Sequence, residues 1–351
     1  MIFILQLLAL IVILVVIHEL GHFVTAKLFG IKVNEFGVGF PPKLWGVKKG
    51  ETEYTINAVP LGGFVKLEGE NDPSHPRSLA AKPPWQRAIV LASGSFMNAV
   101  LAIAIFAGLY MVPRDVQIGD VFVDQVTPNS PAAAAGLMAG DQVLFADGKD
   151  IESVSHLGAI ISRNLGEDMD VTVQRGGQTL ETTVSPRWDP PEGEGPTGVV
   201  LRLENATIVE RSDPFWEAIP KGFKEVGTVL SVTWNALTSW VGGDAPVPFS
   251  GPVGIVRGTQ EVVDEGGALV LIPLAALLSV SLAIFNILPI PALDGGRLLF
   301  VIIEFVRGGK RIPPEKEGLV HMIGFALLIA MVLVISYNDI TKIIRGESFI
   351  R

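Results

Sequence analysis

The sequence predicts a polytopic α-helical membrane protein with four transmembrane helices, a small membrane-associated β-element and an inserted α+β domain. Three observations predict it. Mean hydropathy is +0.45 and only 18% of the residues are charged, against roughly 25% in soluble proteins. Apolar stretches long enough to cross a bilayer occur at about 2–29, 85–112, 268–288 and 319–337. Between the second and third of these, residues 113–215 carry 7 Arg and Lys against 17 Asp and Glu, a net charge of −10 (7 − 17), which is the composition of a water-facing domain. The expected organisation over 351 residues is therefore 1–112 (two spans with a β-element at about 30–84), 113–189 (soluble domain), 190–267 (linker and juxtamembrane amphipathic helix) and 268–351 (two spans). There is no Cys, so disulfides, iron–sulfur sites and thiol catalysis are excluded, and any zinc must be held by His, Asp or Glu. A net charge of −9 gives no support to nucleic-acid binding.

The first span is apolar from Ile2 to Ile17 except for Gln6. It lacks a basic leader and a small-residue cleavage site, so it reads as a span and not as a removable signal. Its second half carries His18-Glu19-Leu20-Gly21-His22. Positions i and i+4 share a helix face, so both imidazoles can reach one metal ion, and Glu19 beside them can take a proton from a metal-activated water. At ~1.5 Å per residue His18 lies about 25 Å along a core ~30 Å thick, toward the second side of the membrane.

The stretch 30–84 is glycine-rich and holds strand formers. Phe36-Gly37-Val38-Gly39-Phe40 has the spacing of a tight turn, 54–59 alternates as a strand does, and Gly62-Gly63-Phe64-Val65 opens a further strand. The expectation is a small β-element with an open strand edge able to pair with an extended substrate; an ordinary loop is the alternative. In the second span, Gly94-Ser95-Phe96-Met97-Asn98 sets a small residue and an amide on one face. Helix association is one role for it, and a hydrogen bond from Asn98 to substrate is the other.

The soluble domain reads as a strand at 121–126, a short helix at 130–137 with Ser130 as N-cap and Pro131 at its first position, a strand at 142–145, a turn at Asp147-Gly148, a helix at 155–165 and a hairpin over 171–184. That order resembles a circularly permuted PDZ domain over about 119–187, in a single copy. A Pro/Gly/Glu linker follows at 188–197. Residues 213–240 put Phe215, Trp216, Ile219, Phe223, Val226 and Leu230 at helical spacing, with Lys221, Lys224 and Glu225 interrupting. This predicts a helix lying on the membrane surface, with a fifth span as the alternative. Residues 250–255 read as a glycine-rich turn.

The third span runs into Asn286-Ile287-Leu288-Pro289-Ile290-Pro291-Ala292-Leu293-Asp294-Gly295. The prolines break the helix, and a carboxylate follows at membrane depth, where it is expensive and marks function. Lys and Arg cluster between the first two spans and again at Arg307, Lys310, Arg311 and Lys316. The positive-inside rule puts both segments in the cytosol and the acidic domain outside. Asp294 then sits about 30 Å in from the outer face, at the depth reached by His18 and His22. Catalytic zinc takes three protein ligands and one open position, and His18, His22 and Asp294 supply three. Asn286 either hydrogen-bonds a substrate carbonyl or caps the broken helix. His75 and His156 fall in polar segments, and His321 reads as interfacial or structural.

Together, His18-Glu19-Leu20-Gly21-His22, Gly37-Val38-Gly39, Gly94 to Asn98, the PDZ-like insert, Ser250 to Ile255 and the Asn286 to Gly296 stretch resemble the site-2 protease family, and more closely its bacterial regulator of sigma-E protease type. The resemblance implies a multi-pass protein of the bacterial plasma membrane with its active site toward the cytosol. It implies an intramembrane zinc endopeptidase that cuts single-span proteins already trimmed outside, an anti-sigma factor or a signal-peptide remnant among them. It also implies that the 62–67 region presents substrate as an added strand and that the PDZ domain filters substrates by size. One PDZ-like unit stands here where the best-known members have two. The competing readings are a silent membrane scaffold that binds peptides through the PDZ domain, against which an intact Glu19 speaks, and a metal transporter, against which the single depth of the metal-type residues speaks.

Overall fold

The computed structural model describes residues 2–191, 193–242 and 251–346. Helix α1 (Ile2–Leu28) is apolar on all sides above its charged end, as a helix surrounded by lipid and other helices must be. It stops at Gly30, whose φ of +67° lets the chain turn back. Gly30 N–H then bonds Lys27 O at 3.0 Å and Ile31 N–H bonds Ala26 O at 2.9 Å, which satisfies the last carbonyls of the helix.

Strands β1 (Val33–Lys49) and β2 (Thr52–Leu67) follow, and they pair with each other more than once. Residues 43–49 run against 57–52 as a hairpin around Gly50. Residues 33–38 run against 67–63, and Glu35 to Val38 are also registered against Glu53 to Ile56. Both strands therefore bend, β1 beyond Phe40 and β2 near Gly62, whose φ of +90° suits a residue without a side chain. The expected tight turn at 36–40 falls inside β1, where Gly39 takes a φ of +78° in close contact with the backbone of Val59. Among the described residues the segment 63–67 pairs as a strand with 33–38 on one side and with no strand on the other, so it is an edge. Phe23, Phe29, Val65 and Leu67 close over Ala26, Ile31, Val33 and Val90 and anchor the sheet to the helices.

Helix α2 (Pro84–Met111) lies against α1 at glycines. A Cβ on Gly21 would overlap the backbone carbonyl of Ser93, so the two backbones approach as closely as small residues allow. After the interval described below, α6 (Pro252–Gly266) leads through a short 3-10 turn into α7 (Leu271–Ile287), then α8 (Asp294–Val306) and α9 (Pro314–Arg345). Of the expected turn at 250–255, Ser250 lies outside the described residues and the rest opens α6. Gly251 precedes it, Pro252 takes the first helical position, and buried Asp339 of α9 accepts Gly254 N–H at 2.8 Å. Glu304 of α8 is buried, 5% exposed, with Arg87 at 2.6 Å and Arg311 at 3.1 Å. A lone carboxylate there would be prohibitive, and two guanidiniums make it tolerable. Helices long and apolar enough to span a membrane number 4 among the described residues, at Phe3–Leu28, Pro84–Met111, Ala268–Ile287 and Pro314–Arg345.

A second compact unit is all but contained between α2 and α6. It holds β3 (Arg114–Val126), α3 (Pro131–Ala134), β4 (Gln142–Ala146), β5 (Lys149–Asp150), α4 (Val154–Arg163), β6 (Met169–Arg175), β7 (Gln178–Val184) and β8 (Val199–Arg211). The sheet order is β7-β6-β4-β3-β8. Ser130 accepts Ala133 N–H at 3.1 Å, so α3 starts where its cap residue predicts. Val121, Val123, Val143, Ile160, Met169, Val171 and Val173 form the core. The sheet does not end at the expected boundary near residue 189. β8 pairs with β3 from Arg114–Arg211 to Val126–Val199, so part of the expected linker is a strand. The alternation of Val199, Leu201 and Leu203, which meet the core, with Arg202 and Glu204 is the signal that gives this strand away. Helix α5 (Phe215–Gly242) follows. It is not among the helices apolar enough to span.

Candidate metal centre

His18 and His22 occupy one face of α1, one turn apart, and both are buried, 6% and 8% exposed. Their Nε2 atoms lie 3.2 Å apart. Asp294, the first residue of α8, brings Oδ2 to 2.9 Å from His18 Nε2 and 3.1 Å from His22 Nε2. Tetrahedral zinc with bonds near 2.0–2.2 Å sets its ligand atoms about 3.3–3.6 Å apart. The three separations are close to that, and the donor set of two imidazoles and a carboxylate suits zinc. Among the described residues this is the cluster able to hold a metal ion.

Each imidazole is aimed by its other nitrogen. His22 Nδ1–H donates to Val90 O at 2.7 Å, which leaves Nε2 with a free lone pair for a metal. His18 Nδ1 lies 3.3 Å from the Asn98 amide. Asn98 is fully buried and its Oδ1 has no partner. Turning the amide over would present that oxygen to His18 Nδ1–H, the acceptor a metal-binding imidazole needs. Asn98 thus reaches His18, and it also lines the cavity beside Glu19. Gly94 has a role the sequence did not reveal. A Cβ there would collide with the Nε2 atoms of both histidines, so the missing side chain is the space the imidazoles fill.

Glu19 faces two cavities. One, about 210 Å³, is lined by Val15, His18, Glu19, Asn98, Asn286 and Asp294 among others. Asn286 is thus beside the centre. The end of α7 is closed by Leu288 N–H to Ile284 O at 3.1 Å rather than by the Asn286 side chain. The other cavity, about 250 Å³, is lined by Glu19, His22, Asp294, Phe64 and Val65 among others. The Val65 backbone amide faces the Glu19 carboxylate, and a Cβ on Gly63 would come within 3.7 Å of Glu19 Cγ. Gly62 lies farther back, against Val15 and Phe40. The free edge 63–67 is one wall of the cleft. Across its mouth Arg297 bonds Glu70 at 2.6 Å. His321, expected to be interfacial or structural, accepts Ala292 N–H at 2.9 Å beside the break.

The profile of peptidase family M50 matches residues 6–331. The chain is similar to a zinc metalloprotease homologue of Clostridium perfringens, 39% identical over 93% of this chain and 95% of that one. It is similar to zinc metalloprotease RasP of Geobacillus kaustophilus, 31% identical over 94% and 95% of the two chains. It is also similar to the regulator of sigma-W protease RasP of Bacillus subtilis, 31% identical over 94% and 96%. Among solved structures it is similar to the PDZ domain of an SdrC-like protein from Listeria innocua, 23% identical over 24% of this chain and 97% of that one, with a TM-score of 0.22. The chain is an integral membrane protein and belongs to peptidase family M50, the site-2 protease family of zinc metalloproteases.

Proposed function

We propose that this zinc protease cleaves the membrane-spanning segments of single-span proteins, with His18, His22 and Asp294 holding the metal and Glu19 as general base and then proton donor to the leaving amine. The observation that carries the reading is the convergence of three ligand atoms and Glu19 on a cleft whose lining includes the strand edge at Phe64 and Val65. Bound zinc supplies Lewis-acid activation of water and of the scissile carbonyl. The chain's own residues do the rest. A substrate helix must unwind before any protease can reach its backbone, and segment 63–67 offers the unwound stretch a row of hydrogen-bonding groups in place of its own helix. Phe64 and Val65 flank that row, and Asn286 is near enough to the centre to hydrogen-bond a substrate carbonyl. Irregular backbone from Leu288 to Leu293 is tolerated at this depth because it lines the cleft.

The positive charge between α1 and α2 and between α8 and α9 favours a cytosolic site, with the β3–β8 unit, read as a single PDZ domain, outside the plasma membrane. The Bacillus subtilis relative is named as a regulator of sigma-W protease. That name supports a membrane-bound regulator of a sigma factor as one substrate class, with signal-peptide remnants as another. Cleavage of a tagged single-span substrate by wild type and by Glu19→Gln tests the chemistry. The variant is expected to be inactive while retaining zinc, and equal cleavage by both would sink the reading. Because the chain has no Cys, single cysteines at Thr179 and Lys310 test the topology with a membrane-impermeant maleimide. Labelling is expected at 179 from outside and at 310 only after lysis, and the reverse pattern would invert it.

A further inference from the structure

Ala292 lies two residues before Asp294 and takes a φ of +75°, a left-handed conformation that residues with a Cβ rarely adopt. Its N–H belongs to no helix. Although Ala292 lines the cleft, its N–H is bonded within the protein. The partner is His321 of α9, whose Nδ1 accepts the bond at 2.9 Å. An imidazolium has no lone pair, so the ring is neutral and carries its proton on Nε2. Nε2 is buried without a hydrogen-bond partner, and the Glu317 carboxylate stands 3.9 Å away. The ring rests against Phe300 of α8, centroids 5.5 Å apart. Three residues on, Gly324 leaves the space that Pro291 occupies, since a Cβ there would overlap the proline ring. Positions 317, 321 and 324 share one face of α9. One face of the last helix thus grips two consecutive residues of the break.

We infer that His321 is a positioning residue for Asp294. By accepting the Ala292 N–H it holds the chain in the left-handed turn that aims Asp294 Oδ2 at the two histidines. The ring itself is not a ligand, being absent from the cluster of His18, His22 and Asp294. The inference rests on the ligand role proposed for Asp294. Supporting groups one step removed from a metal commonly alter affinity by about 10–100-fold when lost, and a ligand on irregular backbone depends on them more than one on a helix.

The test compares zinc affinity, by competition with a chromophoric chelator, across the purified full-length chain and its variants His321→Leu, His321→Asn, His321→Leu with Ala292→Gly, and Asp294→Ala. Leucine fills the space and accepts nothing, whereas the Asn Oδ1 stands where Nδ1 does. His321→Leu is expected to weaken zinc binding by about 10–100-fold and to lower kcat for a model substrate while leaving KM nearly unchanged. His321→Asn restores most of the affinity. Adding Ala292→Gly to His321→Leu restores part of it, because glycine holds a positive φ unaided. Wild-type affinity in His321→Leu alongside weak binding in Asp294→Ala would overturn this inference and leave the ligand reading standing. An Asn variant as weak as the Leu variant would overturn it too, by showing that the acceptor is not what matters. Wild-type affinity in Asp294→Ala would overturn both.

Discussion

His18 and His22 stand on an unbroken helix, and Asp294 stands at the end of a break. On α1 the spacing of the ligands is a property of the helix: any i, i+4 pair shares a face, and the backbone that fixes it is held by its own hydrogen bonds. Neighbours only choose the rotamers, through Val90 O and Asn98. From Leu288 to Leu293 no repeating bond pattern fixes the chain, and short-range bonds such as Leu293 N–H to Ile290 O are joined by restraints from elsewhere. Ile290 N–H reaches Leu288 O, Ala292 N–H reaches His321, and Pro291 fills the gap at Gly324. One side of the centre is preorganised locally and the other by tertiary contact. They should therefore answer differently to the same kind of perturbation.

The largest effect is expected at Gly94. A side chain there meets the Nε2 atoms of both histidines, and the imidazoles would have to leave their places to admit it. Gly94→Val is expected to reduce zinc affinity by more than about 100-fold, read as metal content after dialysis against a chelator. Stoichiometric zinc in that variant would show that α1 and α2 yield easily, and the contrast between the halves would fall.

Gly295→Ala applies the same insult to the other half. Its Cβ would overlap the carbonyl groups of Leu288 and Ile287, so the break has to shift and Asp294 with it. An irregular segment can spread that shift over several torsions. The expected loss of zinc affinity is therefore smaller, about 10-fold, in the same dialysis measurement. A loss equal to that of Gly94→Val would mean the break is as stiff as the helix.

The same contrast governs how much the sequence revealed. His18, Glu19 and His22 were legible because helical periodicity is a local rule, and Asp294 because a carboxylate in an apolar stretch has few uses. The four helices long and apolar enough to span a membrane were legible from length and hydropathy. What stayed hidden depends on contacts between distant residues. Gly94 looked like any small residue at a helix contact, and nothing near it names the imidazoles it accommodates. Asn98 offered an amide without saying to whom. The folding back of β1 and β2 on each other follows from pairings whose register no short stretch encodes. β8 was missed although its alternation was present, because the Pro/Gly/Glu stretch before it read as the end of the domain. His321 had no sequence signal at all, since its partner is a backbone N–H exposed by a break in another helix.

Glycine itself separates the two halves at the next scale down. Ala26 lies on α1 one turn beyond His22 and is fully buried. Ala26→Gly loses helix propensity and a buried methyl, and is expected to cost about 1–2 kcal/mol. Ala292→Gly puts the same residue where φ is already +75° and relieves strain, so its expected change lies between zero and a gain of about 1 kcal/mol. Apparent Tm at a fixed scan rate in one detergent reads both. A matching drop in the two variants would mean that Ala292 is not strained by its turn.

The smallest effect is expected at Glu51, in the turn of the hairpin. Its carboxylate accepts from Arg77 at 2.7 Å and from Lys27, in the last turn of α1, at 2.8 Å. Arg77 first and Lys27 after it pull the carboxyl from its ordinary 4.5 down to about 2. The folded value lies below the unfolded one, so whatever stability the pairing contributes is complete above about pH 4.5 and is lost as pH falls toward 2. The difference in apparent Tm between wild type and Glu51→Gln should thus be constant at neutral pH and vanish on acidification. It should also be small, because exposed ion pairs contribute little. Zinc affinity at neutral pH should not change, since an anchor at the end of α1 is not needed to keep His18 and His22 one turn apart. If Glu51→Gln does weaken zinc binding, the helix half also depends on its neighbours, and the two halves differ in degree alone.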